Sequence, residues 1–236
     1  MPTDNFASAA APRDRVYRVG FEPEPWAWPG WEWATNGRFN GRWDDGAGNF
    51  RTVYAGDSLF ACLLEVLAAF RVDPELAAAL ALVEVEAVDQ VQYPTAPAGH
   101  VPHSWLDHRI ACSAVLRGTY CDVASAASIA TLRPRFIADA LRLGRRDFDA
   151  AALKDSGLRQ LTQAVANHLY ATTSFDGVAF GSRLGDDLGL WAIFERPGDS
   201  AVSAQLEDLE RHALTPEHSD LDAALRHLDL VWADVD

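Results

Sequence analysis

Apolar and polar positions alternate early. RVYRVG, residues 15–20, reads as a first strand. A loop rich in Trp and Pro follows, PWAWPGWEW, residues 25–33. Its four tryptophans are too irregular for a helix. They either pin the loop to the core or form the wall of a binding cleft. Residues 36–49, NGRFNGRWDDGAGN, carry the Gly, Asn and Asp of a turn-heavy loop. RTVYAG, 51–56, predicts a strand. Asp57 or Ser58 then caps a strongly apolar helix running to about Phe70.

Further along, ALALVEVEAV (79–88) ends in alternation and predicts a strand, and 90–105 reads as irregular. RIACSAVL, from 109, suggests a short helix, and TYCDVAS a strand. Residues 126–143 predict helix, with Pro134 near the start of a second segment. Residues 157–171 predict a clearer helix, with Leu158, Leu161, Val165 and Leu169 on one face. DGVAFGSR (176–183) and LGLWAIFE (188–195) read as strands. The tail predicts helices near 202–213 and 217–228. Short strands irregularly interleaved with helices favour an α+β fold.

The chain has 236 residues, which suits one domain with appendages: a flexible leader (1–14), a body (15–198) and an acidic helical extension (199–236) packed on the same domain. Three cysteines, none in a CxxC pair, fit small core residues in a reducing compartment. No apolar run is long enough to span a bilayer and the N-terminus lacks a secretory pattern, so a cytoplasmic location is expected. The net charge is −14, with ten acidic residues and two arginines from Asp199 onward. Such a surface repels nucleic acid and anionic membrane. Lys154 is the one lysine among 20 basic residues. Any anion must therefore be held by local arginines, whose planar fork suits phosphate.

Several residues stand out against their surroundings. Glu65 lies in FACLLEVLAAF. It either faces water along a narrow wet stripe or sits as a paired carboxylate at the floor of a site. Arg42, in a Gly-Arg-Trp step, either pairs with Asp44 or Asp45 or offers its guanidinium to a phosphate. Tyr54 ends a strand that feeds the Glu65 helix, and Ser182 follows a strand beside Arg183. Either can be purely structural, and Ser182 lacks the flanking glycines of a nucleophile elbow. His100, His103 and His108 do not have zinc-site spacing, so no metal is expected. There is no Walker loop and no GxGxxG.

In order along the chain, Gly41-Arg42-Trp43, Val53-Tyr54-Ala55, Leu64-Glu65-Val66-Leu67, Gly177-Val178-Ala179-Phe180-Gly181-Ser182-Arg183 and Trp191-Ala192-Ile193-Phe194 resemble the RES domain. That family forms the toxin half of bacterial RES–Xre toxin–antitoxin pairs. The resemblance runs from Tyr17-Arg18 to about Glu195 and stops before the tail. Many members have Asn and Pro after the Arg-Trp pair, where this chain has Asp44 and Asp45.

The resemblance implies an ADP-ribosyltransferase-like core of short, mainly antiparallel strands surrounded by helices. It implies NAD as substrate, cleaved between nicotinamide and ribose, with inorganic phosphate or water as acceptor. By the same resemblance, Glu65 would stabilise the developing oxocarbenium charge and Arg42 would hold the pyrophosphate. Arg18 and Arg183 would help, Tyr54 would stack on the nicotinamide or the ribose, and Ser182 would donate a hydrogen bond. A protein ADP-ribosyltransferase on the same scaffold, or a non-catalytic module binding an Xre-type antitoxin, are the alternative readings. Leu221, Leu225 and Leu228 share a helical face. That face either caps the domain or makes a homo-oligomer or antitoxin contact.

Overall fold

A computed structural model describes residues 5–12, 14–80, 82 and 98–233. The strands are β1 (Ser8–Ala10), β2 (Arg15–Phe21), β3 (Thr52–Gly56), β4 (His100–Val101), β5 (Arg109–Leu116), β6 (Thr119–Asp122), β7 (Gly177–Gly181), β8 (Gly189–Phe194), β9 (Leu206–His212) and β10 (Val231–Trp232). The helices are α1 (Leu59–Leu67), α2 (Pro74–Leu80), α3 (Ala126–Arg142), α4 (Ala150–Lys154), α5 (Arg159–Thr172) and α6 (Ser219–Leu228). Eight strands form one sheet in the order β1-β6-β7-β8-β3-β2-β5-β9, and β10 pairs with β4 separately. Within the large sheet the β6–β7 pair is parallel and the other pairs are antiparallel. The α+β expectation holds.

Local chemistry sets the passage from β3 into α1. Ser58 caps the helix by accepting from the Ala61 N–H at 3.2 Å. Asp57 instead accepts from the Gly189 N–H at 2.6 Å, tying the turn to β8. α1 then buries Leu59, Leu63, Leu64 and Leu67. These pack against Leu221, Ala224, Leu225 and Leu228 of α6. The shared leucine face of the tail is therefore interior, packed on α1. Helices α3 and α5 bury their apolar faces in a second core with Trp43, Phe50 and Phe194.

Several expectations are corrected. RIACSAVL is strand β5, not a helix. It lies between β2 and β9, and Ala111–Ala114 are all buried, so the period-two alternation is missing. The segment expected as the first tail helix is mostly strand β9, an edge strand on β5. Its glutamates find arginine partners across the sheet: Arg15–Glu210 at 3.3 Å and Arg117–Glu207 at 2.9 Å. Tertiary pairing overrides the helix-favouring Leu and Glu of that stretch. The acidic extension is thus half sheet and half helix. Residues 8–10, inside the expected leader, pair with β6. Pro134 sits within a single continuous α3 instead of dividing it. Of the strand expected at 79–88, Ala79 and Leu80 close α2, and the remainder, apart from Leu82, lies outside the described residues. Among the described residues no helix is long and apolar enough to cross a membrane. The three cysteines are buried and unpaired.

Trp26 and Trp28 are buried, while Trp31 and Trp33 are exposed, Trp33 at 79%. The Trp loop is therefore pinned by its first two rings. Arg51, just before β3, grips Glu195, just after β8, through both oxygens of the carboxylate. One contact is 2.7 Å, between Nε and Oε2. This bond and the cation hold the Glu195 carboxyl below its ordinary value and raise Arg51, so the two shifts agree.

Two outcomes follow. Leu221→Ala will lose about 2–5 kcal/mol of stability in chemical denaturation, because its side chain is fully buried. It will leave the oligomeric state by sedimentation unchanged. Glu195→Gln will cost roughly 1–2 kcal/mol at neutral pH. A depressed carboxyl stabilises the fold above its unfolded value and loses that contribution as pH falls through the folded one. The gap to the wild type will therefore close on acidification below about pH 4.5, the ordinary value, which melting curves across pH will measure.

Candidate active site

A cavity of about 460 Å³ opens between the sheet, α1 and the 36–49 loop. This size falls within the range of small-molecule sites. Arg18 from β2, Arg42 from the loop, Tyr54 from β3, Glu65 from α1 and Arg183 from the β7–β8 connection all line it. These residues come from five separate parts of the chain, and the fold brings them together.

Glu65 is half-buried and lines this cavity. Ser182 sits behind it at 1% exposure and does not line the cavity. Its hydroxyl donates to Glu65 Oε1 at 2.5 Å and accepts from the Leu184 N–H at 2.9 Å. The serine therefore aims the carboxylate. Its backbone N–H bonds to the Leu188 carbonyl at 3.0 Å, which closes the β7–β8 connection around it.

Arg42 has no hydrogen bond or ion pair to its guanidinium among the described residues. Burial pulls its pKa down, as do the neighbouring charges of Arg183 and Arg159, while Glu65 pushes it up. The pairing of Arg42 with Asp44 or Asp45 does not form. Asp44 accepts from the Tyr54 hydroxyl at 2.8 Å and from the Gly41 N–H. Asp45 accepts from the Ala47 N–H at 2.9 Å and from Asn167 Nδ2 at 2.8 Å. Both aspartates thus brace the loop, and leave the arginine head free for an anion.

Arg18 is differently held. It donates from Nε to the Pro25 carbonyl at 2.8 Å and from Nη1 to the Tyr54 carbonyl at 3.0 Å. Its charge reaches the cavity while its donors are partly used, and burial lowers its pKa. The Tyr54 hydroxyl is also occupied, since it accepts from the Trp43 N–H at 2.9 Å. Burial and Asp44 raise its pKa well above the usual tyrosine value, so the phenol stays protonated. Cys62 reaches the cavity, but its thiol donates to the Tyr17 carbonyl at 3.0 Å and burial pushes it up to about 12. It is not a nucleophile at neutral pH.

Two lining residues carried no clear signal in the sequence. Arg159 opens α5 and donates to the Asn40 carbonyl at 3.0 Å, but as a surface arginine in a helix it looks ordinary. Phe180 lies two residues before Ser182 on β7 and packs its ring on Trp43 at 5.5 Å. The tryptophans of the 25–33 loop do not line the cavity. His103 stacks on Trp232 at 4.8 Å.

The family model of the RES domain matches residues 15–215. The chain belongs to the RES-domain family. The match runs past residue 198, where the body was expected to end, and takes in β9. No curated protein and no solved structure matches the chain.

The site of this RES protein is a cationic cleft with one aimed carboxylate. Arg42→Ala and Arg183→Ala will each weaken binding of inorganic pyrophosphate, used as a probe anion, about tenfold or more in calorimetry, a change worth roughly 1.4 kcal/mol. Both losses will shrink as salt is raised, because the interaction is between charges.

Proposed function

We propose that this RES-domain protein consumes NAD by breaking the bond between nicotinamide and ribose, with inorganic phosphate or water as acceptor. One observation carries the reading: the unpaired Arg42 guanidinium and the Ser182-aimed carboxylate of Glu65 share a single cavity. NAD has a dianionic pyrophosphate close to a ribose that becomes cationic as nicotinamide leaves. Arginine suits the first and a carboxylate the second.

In this mechanism Arg42 and Arg183 hold the pyrophosphate, with the Arg18 and Arg159 charges behind them. The nicotinamide ring lies against the apolar wall that includes Phe180 and the Tyr54 ring. The carbon–nitrogen bond breaks with its electron pair going to nicotinamide, which leaves neutral. Glu65 stabilises the oxocarbenium-like ribose by its charge, which acts strongly where water is scarce. An oxygen of phosphate or water then bonds to the anomeric carbon. The products are nicotinamide with ADP-ribose 1″-phosphate, or nicotinamide with ADP-ribose and a proton. Ser182 keeps the carboxylate in place and forms no covalent bond.

Family membership supports a toxin-like role, and loss of cellular NAD would account for toxicity. On this reading the protein acts in the cytoplasm, where an Xre-type antitoxin is its partner.

Mass spectrometry of NAD incubated with the protein, with and without phosphate, tests the reading. Glu65→Gln will lower kcat by about a hundredfold or more, the scale of a lost electrostatic stabiliser. Arg42→Ala will act mainly on KM. NAD left intact under both conditions overturns the proposal. ADP-ribose attached to a protein would identify a transferase instead.

A further inference from the structure

The backbone N–H and carbonyl of both residues flanking Arg42 are bonded, while its guanidinium has no hydrogen bond among the described residues. The Gly41 N–H donates to Asp44 Oδ2. The Gly41 carbonyl accepts from Gln163 Nε2 of α5 at 3.0 Å and from the Asp44 N–H at 3.4 Å. The Trp43 N–H donates to the Tyr54 hydroxyl at 2.9 Å, and the Trp43 carbonyl accepts from the Thr52 hydroxyl at 3.5 Å. The Trp43 ring is fully buried. The turn is rigid on both sides of one free cationic head.

Asp44 stands at the centre of this arrangement. Its two oxygens take different partners, Oδ1 from the Tyr54 hydroxyl at 2.8 Å and Oδ2 from the Gly41 N–H. The residue is 6% exposed and does not line the cavity, so it does not touch a ligand there. The packing is close enough to require glycine at 41. A Cβ there would fall 2.5 Å from the Tyr54 hydroxyl oxygen and 2.6 Å from Asp44 Oδ2. A buried carboxylate is costly in itself. The Asp44 carboxylate holds the Gly41 N–H directly and the Trp43 N–H through the Tyr54 hydroxyl, which fixes the backbone from which the Arg42 side chain starts before any anion arrives. Such ordering in advance strengthens binding by sparing its entropic cost.

We infer that Asp44 is a positioning residue, which sets the Arg42 guanidinium through the Tyr54 hydroxyl and the Gly41 N–H. The pyrophosphate-bearing ligand rests on the function proposed above. In turnover the effect falls on KM for NAD and spares kcat, because Asp44 acts on anion binding and not on Glu65.

A double-mutant cycle on ADP-ribose binding, read by calorimetry, tests this without requiring turnover. Asp44→Asn and Tyr54→Phe will each weaken ADP-ribose about tenfold in the presence of Arg42. On an Arg42→Ala background the same changes will cost less than about twofold. Tyr54→Phe keeps the ring and serves if Asp44→Asn does not fold. Equal losses with and without Arg42, or no loss in either variant, overturn the inference even if NAD is consumed. Coupling to Arg42 with NAD left intact upholds the positioning role and rejects the proposed reaction.

Discussion

An uncompensated guanidinium held in a half-buried place is the constraint around which this molecule is arranged. Burial works against the cation of Arg42, as do the nearby charges of Arg183 and Arg159, and Glu65 is the strongest neighbour that favours it. A cation in such a place gains more from a bound anion than one in water does. The loop braces the backbone on either side of it through Asp44, Tyr54, Thr52 and Gln163. What remains is a site that gains most from a bound anion.

The opposing carboxylate is held by different means. Glu65 rides on α1, which is clamped between the cavity and the leucine face of α6. The last segment of the chain thus supports the helix that carries the carboxylate. Ser182 reaches the same carboxylate from the β7–β8 connection. The pairing of β3 with β8 and of β8 with β7 brings the two together, with Tyr54, Ala192 and Val178 in one cross-strand row. Cation and carboxylate therefore rest on separate supports that meet at the cavity.

Charge is divided in the same way. The whole chain carries −14, much of it on the tail. The tail glutamates on β9 are matched by Arg15 of β2 and by Arg117, just after β5, whereas the cavity collects arginines that have no carboxylate partner among the described residues. A local cationic cleft in an acidic body selects for a ligand that the fork geometry fits, since the general field attracts no polyanion.

Local signals in the sequence were enough for the elements that start and stop by their own chemistry. The Ser58 cap, the Gly-rich 36–49 loop, the apolar periodicity of α5 and the odd placing of Glu65 could all be read from neighbours within a few residues. The order of short motifs was enough to indicate the family. Partners distant in sequence decided the rest. Strand β5 has no alternation because both its faces are covered, and β9 takes sheet form because β5 offers it hydrogen bonds. The leucines of α6 face inward because α1 lies there. Asp44 braces Tyr54 and leaves Arg42 unpaired, and Arg159 and Phe180 join the cavity from elements far along the chain. Helix caps and periodicity act over one or two turns and are written locally. Burial, pairing and charge neutralisation depend on what another part of the chain brings alongside, and only folding determines that.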